Sequence, residues 1–334
     1  MKKLSFYIFS LLSVSLVSTS CETNFENPNA PSVEEVSQST NGLFALIVGL
    51  EFQYSVGGTS SIYTSISGSG FATGELQLLN AGNAEFAALL NGGNNIAPSN
   101  SVVTNLWTNL NLVRFNAQTV INNSSNASTP ELQNAIRAYG LFYKALAIGT
   151  MSQFWENVTV ESGVNQPFVT RNDGLQIAIE SLEEAISLVP AVGPPAAMTS
   201  AIGSNINIRN ASSALLARYN LMLGNYTEAL SAANSVDLSS RSFFIYDNVS
   251  QNPVFRSSLV TTNVFDVNPD FGLSGTLAPD PADERIAFHL TANASNGKGF
   301  FASDGTAIPV YLPGEIMLIK AEALARNNQV NQAI

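Results

Sequence analysis

Apolar residues recur every three to four positions over much of the chain, which predicts amphipathic helices. The pattern is strongest over about 101–121 and again from Thr129, where Thr129-Pro130 is typical of an N-cap followed by proline at the first helical position. Ser32 and Glu35 form a capping-box pattern ahead of another helix. Similar periodicity predicts helices over about 43–54, 173–190, 210–223 and 313–325. The chain is therefore predicted to be mainly α.

Two hairpins in the last third of the chain repeat one pattern at an offset of 104 residues. The first has Ala217 before Gly224 and Ala229 after it, and the second has Ala321, Asn328 and Ala333 at the equivalent positions. Small residues let two helices approach closely, and Gly or Asn ends the first helix in a left-handed conformation. This combination is typical of a tetratricopeptide helix pair.

Two segments interrupt the helical pattern. Residues 55–98 are rich in Gly and Asn, which predicts loops with one short helix near 84–90. Residues 241–308 carry short apolar runs at 243–246, 264–267, 286–291 and 299–302, set between Asn, Pro and Gly, which predicts small strands and long loops. The predicted organisation is a helical body over 32–240, a loop and short-strand lobe over 241–308, and a final helical pair over 309–334. Because Ile334 falls inside the last helix, we expect a C-terminally truncated fragment.

The N-terminus has the features of an export signal. Lys2 and Lys3 precede an apolar stretch from Leu4 to Val17, and small residues lead to Cys21. The stretch is too short to span a bilayer core of about 30 Å. We predict a signal peptide over 1–20 and a lipidated tether over 21–31, with Cys21 as the lipid-attachment residue. An ordinary secretory signal, in which Cys21 is incidental, is the alternative.

Composition excludes several classes of function. Only 12% of residues are charged, with 14 Lys and Arg against 25 Asp and Glu. So few bases disfavour nucleic-acid binding, which needs cations to displace counterions. One Cys and one His are too few for a disulfide framework or a Cys/His metal cluster. No cofactor is predicted.

The order of several motifs resembles the SusD/RagB family of outer-membrane nutrient-uptake lipoproteins. The motifs are the leader ending at Cys21, Asn27-Pro28-Asn29-Ala30-Pro31, Leu106-Trp107 through Asn116, Arg137-Ala138-Tyr139 through Gln153-Phe154-Trp155, residues 214–226, and residues 309–323. The resemblance implies a solenoid of tetratricopeptide-like helical pairs with an irregular lobe. It also implies a lipid-anchored, surface-facing protein of the outer membrane that binds a glycan or other nutrient and passes it to a TonB-dependent transporter.

Sugar recognition needs exposed aromatic rings on loops, flanked by amides and carboxylates. Tyr63 and Phe71 lie among Gly, Ser and Thr, and Phe300-Phe301 lies near Asn296, Lys298 and Asp304. These four rings are the candidate ligand contacts. The helical spacing of Trp107, Tyr139, Phe142 and Tyr143 instead predicts core positions.

Other functions have weaker support. His289 lies in an apolar run, so packing in a strand is a better interpretation than a catalytic base. No pair of carboxylates stands out for glycoside hydrolysis, which disfavours an enzyme. Asp266, Asn268 and Asp270 alternate as in a calcium loop, but the glycine and the final acid are misplaced, which favours a turn. A tetratricopeptide scaffold that binds a protein or peptide remains the alternative function.

Overall fold

A computed structural model describes residues 31–163, 165–260 and 264–333. The predicted signal peptide, Cys21 and most of the tether lie outside these residues. The chain forms two compact units, divided after Val36. In the described part of the first unit, Ser32 caps helix α1 (Val33–Val36), and the predicted capping box is present: Glu35 N donates to Ser32 Oγ at 3.2 Å and Ser32 N to Glu35 Oε2 at 3.0 Å.

The second unit is mainly helical, as predicted. Its helices are α2 (Thr40–Ser55), α3 (Ser61–Thr73), α4 (Ala84–Asn91), α5 (Ser101–Asn123), α6 (Pro130–Phe154), α7 (Arg171–Leu188), α8 (Ala196–Ile202), α9 (Ile208–Leu223), α10 (Tyr226–Asn234), α11 (Glu284–Leu290), α12 (Pro313–Arg326) and α13 (Val330–Ala333). Its strands are β1 (Leu76–Leu78), β2 (Asn157–Val158), β3 (Val169–Thr170), β4 (Phe243–Phe244), β5 (Phe265–Val267) and β6 (Ile308–Pro309). Across the described residues, no helix combines the length and the apolar character that crossing a membrane requires.

Helix α6 is the centre of the main core. It packs between α5 and α7, and most of its side chains are buried. Tyr139, Phe142 and Tyr143 are buried there, as their helical spacing predicts. Thr129 Oγ1 accepts from Leu132 N at 3.3 Å and Pro130 occupies the first turn, so the predicted start of the helix is correct.

The repeated hairpins end their first helices in the same way. Asn225 N donates to the Asn220 carbonyl at 2.9 Å around Gly224, whose φ is +79°. At the predicted offset, Gln329 N donates to the Leu324 carbonyl at 2.9 Å around Asn328, whose φ is +60°. Both are Schellman-type ends that need a left-handed residue. The equivalence predicted from sequence therefore extends to individual hydrogen bonds.

A bidentate ion pair fastens the two hairpins to each other. Arg218 on α9 donates through Nε to Glu315 Oε1 at 2.5 Å and through Nη2 to Oε2 at 2.8 Å. Helix α12 also packs on α10 and α9. The two pairs therefore stack, as in tetratricopeptide arrays.

Three antiparallel strand pairs attach the irregular segments to the helices. Strand β1 pairs with β5 (Leu76 opposite Val267), β2 with β3, and β4 with β6. The first and last pairs join residues distant in sequence. The predicted strands at 243–246 and 264–267 are therefore present in shortened form, whereas residues 286–290 belong to α11, so the predicted strand there is wrong.

Candidate functional site

Two of the four predicted ligand-contact rings are not at the surface. Tyr63 and Phe71 lie on α3, with 6% and 1% exposure, so the prediction that they lie on a loop is wrong. The Phe71 ring packs 4.9 Å from that of Phe86 and 5.4 Å from that of Phe265, measured between centroids. The Tyr63 hydroxyl is 3.0 Å from that of Ser258. Both rings form the small core beneath the lobe.

The other two predicted rings differ from each other. Phe301 is partly buried and packs against both hydrophobic cores, so it anchors its loop. Phe300 is half-buried in a surface group of four rings, which we call the lobe cluster: Phe271, Phe288, His289 and Phe300. Its ring centroid lies 5.0 Å from that of Phe288 and 6.1 Å from that of His289. Phe288 is 47% exposed, so the cluster presents an aromatic face to solvent.

A turn with two successive residues in the left-handed backbone conformation lies at one side of the lobe cluster. Phe271 has φ +54° and is followed by Gly272 at φ +71°. A Cβ on Gly272 would lie 2.4 Å from the Gly74 carbonyl oxygen, so only glycine fits this close approach. Asn268 N donates to the Glu75 carbonyl at 2.8 Å, next to the β1–β5 pair. The Phe271 ring is therefore carried by a turn docked on the α3–β1 connection.

A buried amide holds the other side. Asn252 has no exposed surface, and its Nδ2 donates to the carbonyls of Phe300 at 3.0 Å and Thr306 at 2.8 Å. Asn293 closes the loop before Phe300, because its Nδ2 donates to the Ala302 carbonyl at 2.7 Å. Side-chain amides therefore fix the backbone that carries the half-buried Phe300 ring, which limits the ordering that a ligand would have to impose.

The cations beside the lobe cluster are already neutralised. Lys298 Nζ donates to both carboxylate oxygens of Asp266 at 2.6 and 2.7 Å, and Arg285 pairs with Asp283. Asp266 lies in β5 and is paired with Lys298, and the turn predicted for this segment covers only residues 269–272. Among the described residues, no group of three or more His, Cys, Asp or Glu side chains could hold a metal ion.

His289 is part of helix α11 and not of a strand. Asp283 caps that helix by accepting from Arg285 N at 2.9 Å. Partial burial, with the positive charge of Arg285, lowers the pKa of His289 below its usual value. The ring is therefore mainly neutral at pH 7 and contributes an aromatic face and one donor or acceptor.

A second exposed group of rings lies where α5, the end of α6 and the β2–β3 connection meet. We call it the tryptophan cluster: Trp107, Phe154, Trp155 and Phe168. The Trp107 ring centroid is 5.0 Å from that of Trp155 and 6.0 Å from that of Phe168. Phe168 is 61% exposed. Trp107 packs against the main core but is only partly buried, so the core position predicted from its spacing is confirmed only in part.

An apolar groove of about 710 Å³ lies along α9 and α12. Leu221, Met222, Leu312 and Leu318 line it together with Arg218. It contains none of the rings of the two aromatic clusters.

The helical pairs with the attached lobe form an architecture that other proteins share. No family model matches the chain, and no curated protein matches it. Solved structures do. A SusD superfamily protein from Bacteroides thetaiotaomicron VPI-5482 matches with a TM-score of 0.67 at 14% identity, over 88% of this chain and 78% of that one.

Two further structures agree. A SusD-like carbohydrate binding protein from Bacteroides vulgatus ATCC 8482 has a TM-score of 0.66 at 16% identity, covering 88% of this chain and 73% of that one. A SusD/RagB family protein from Bacteroides thetaiotaomicron VPI-5482 has a TM-score of 0.62 at 16% identity, covering 89% of this chain and 69% of that one. The chain therefore has the SusD-like fold.

Proposed function

We propose that the protein is a non-catalytic glycan-binding lipoprotein of the outer membrane. The observation that carries the proposal is the lobe cluster, where the exposed Phe288 ring lies 5.0 Å from Phe300 on a loop held by buried amide hydrogen bonds. The apolar face of a sugar ring packs on such a surface, and neutral amides bind its hydroxyls. Two proteins of the same fold, from Bacteroides vulgatus and Bacteroides fragilis, are described as SusD-like carbohydrate binding proteins.

Capture would be equilibrium binding on a preformed surface. Asn296 lies on the loop that precedes Phe300, and an amide of this kind suits uncharged hydroxyl groups. His289 would bind as the neutral imidazole. Because the Phe300 backbone is held by Asn252, little conformational entropy would be lost on binding.

A glycan array on the purified protein tests this proposal, followed by calorimetry with the best ligand. Removing a ring that a ligand covers costs about 1.5 kcal/mol or more, which is about tenfold in affinity. We expect that loss for Phe288→Ala and for Phe300→Ala. Phe52→Ala is the matched control, since Phe52 is 55% exposed on α2, outside the cluster. The proposal is wrong if no glycan binds, or if the control weakens binding as much.

Anchoring and delivery are parts of the same proposal. Cys21, the predicted lipid-attachment residue, would tether the protein to the outer membrane, and a TonB-dependent transporter would receive the ligand. Metabolic labelling with a radioactive fatty acid should mark the wild-type protein and not Cys21→Ser. Co-purification of a large barrel protein after membrane solubilisation would support the transporter, and its repeated absence would argue against delivery.

The groove along α9 and α12 supports a second candidate function, binding of a peptide or protein segment. Its apolar lining suits an extended chain with apolar side chains, since Arg218 in its wall is already paired with Glu315. Leu318 is 67% exposed in it, so Leu318→Glu should abolish peptide binding without unfolding the protein. Selection from a peptide library, with and without this substitution, separates the groove from the lobe cluster.

A further inference from the structure

The tryptophan cluster continues along α5 into a row of polar side chains. Trp107, Asn111, Arg114 and Gln118 are spaced by four, three and four residues, so they share one face of the helix. Asn111 Nδ2 donates to the Trp107 carbonyl at 3.0 Å, and its Oδ1 accepts from Arg114 at 3.4 Å. With a rise of about 1.5 Å per residue, Trp107 and Arg114 are about 10 Å apart along the helix axis.

Two cations, one in this row and one facing it, have only neutral hydrogen-bond partners. Arg114 is 6% exposed, and its guanidinium donates to Asn111 Oδ1 and to Ser162 Oγ, the latter at 3.0 Å. Lys144, on the facing helix α6, donates to Gln118 Oε1 at 2.9 Å. Neither cation belongs to any of the ion pairs formed among the described residues.

Arg114 and Lys144 are partly buried and have no carboxylate partner within the described residues, although the chain has 25 acidic residues and 14 basic ones. Burial lowers the pKa of both Arg114 and Lys144, because it disfavours their charged forms. The carboxylate of Glu161 interacts with both from the exposed β2–β3 connection but does not approach either within ion-pair distance. An incoming anion would supply the missing charge, since charge-assisted hydrogen bonds to Arg and Lys are strong.

We propose that the tryptophan cluster and this row form a second sugar-binding site, selective for an oligosaccharide that carries a carboxylate, such as a uronic acid. A sugar ring would pack on Phe168 and Trp107, and the carboxylate would lie toward Lys144 and Arg114, replacing Ser162 as a partner. The inference takes from the proposed function only that the ligand is a sugar.

Galacturonic acid trimer is the probe, and its methyl ester is the matched ligand without charge. Calorimetry on the whole chain should show at least tenfold tighter binding of the acid than of the ester, and the difference should shrink in high salt. Phe168→Ala should weaken both ligands, and Lys144→Met should weaken only the acid. Glu161→Gln should strengthen the acid, because it removes a competing carboxylate.

Two controls separate this site from the lobe cluster and from folding defects. Phe115→Ala, on α5 and 52% exposed, should leave binding of the trimer unchanged. Phe288→Ala should also leave it unchanged, even though it weakens glycan binding at the lobe cluster. Equal affinity for acid and ester, or unchanged affinity in Lys144→Met and Phe168→Ala, overturns the second site. Loss of trimer binding in Phe288→Ala would overturn the second site as well, because it would show that the trimer binds at the lobe cluster.

Discussion

Gly149 on α6 and Tyr219 on α9 make a close contact in the core, and substituting both residues tests it. A Cβ added to Gly149 on α6 would lie 2.1 Å from Tyr219 Cζ and 2.5 Å from Cε2. The Tyr219 ring on α9 has no exposed surface, so it cannot swing aside. Alanine gains about 0.5–1 kcal/mol over glycine inside a helix, but overpacking of a buried site costs about 1–3 kcal/mol. Gly149→Ala should therefore destabilise the protein by about 1–2 kcal/mol.

The sign of that effect should reverse when the ring is removed. Leucine at 219 lacks the atoms that a Cβ on Gly149 would meet, so only the helix propensity remains. Gly149→Ala in a Tyr219→Leu background should then stabilise by about 0.5–1 kcal/mol. Midpoints and slopes of urea unfolding for the four proteins of the cycle measure the coupling. A stabilising Gly149→Ala in the wild-type background would refute the close approach.

Three further predictions concern buried polar groups. The Tyr219 hydroxyl is buried with no hydrogen-bond partner among the described residues, so Tyr219→Phe should raise the free energy of unfolding by about 1 kcal/mol or more; a loss of stability would contradict this. Burial raises the pKa of Glu51, so its charged form destabilises the fold above the raised pKa, and stability should rise as pH falls toward the unfolded-state value of about 4.3. Urea midpoints at pH 7 and pH 5 should show this rise in the wild type and not in Glu51→Gln. Asn252→Ala should lower the free energy of unfolding by about 2 kcal/mol, because it leaves two carbonyls unpaired. It should also weaken glycan binding at the lobe cluster, since it frees Phe300. Unchanged affinity would show that the loop is held by other contacts.

The long helices could be predicted from sequence because their apolar residues face one core. Helix α3 could not, because Gly68 and Gly70 and its many Ser and Thr residues indicate a loop. In the structure these small residues have packing roles: a Cβ on Gly70 would lie 2.6 Å from Leu76. Hydroxyls donate back to carbonyls one turn earlier, as Ser67 does to Tyr63 at 2.8 Å. Tertiary burial thus outweighs the low helix propensity of the segment.

Helix α11 was predicted as a strand because a short apolar run fits either element. The candidate site was harder to predict from sequence than the helices. Phe300 could be selected as a loop aromatic, but its association with Phe288 depends on how the lobe folds back. Trp107, Trp155 and Phe168 likewise come together through tertiary packing that no local pattern records. Sequence identified the kind of residue that a sugar site needs, and the fold decided which of them share a surface.

The charges around the two aromatic clusters predict a different preference for each of the two proposed sugar sites. Between residues 264 and 302 the cations are Arg285 and Lys298, and both are already paired with aspartates. Asp270, Asp280 and Glu284 add negative charge to the same segment, so an acidic sugar would be repelled from the lobe cluster. At the tryptophan cluster the cations have only neutral hydrogen-bond partners, so an acidic sugar would be attracted. Neutral chains should therefore prefer the lobe and carboxylated chains the tryptophan cluster. A polysaccharide that alternates the two kinds of sugar could engage both sites, with a gain in avidity only if its length matches their separation.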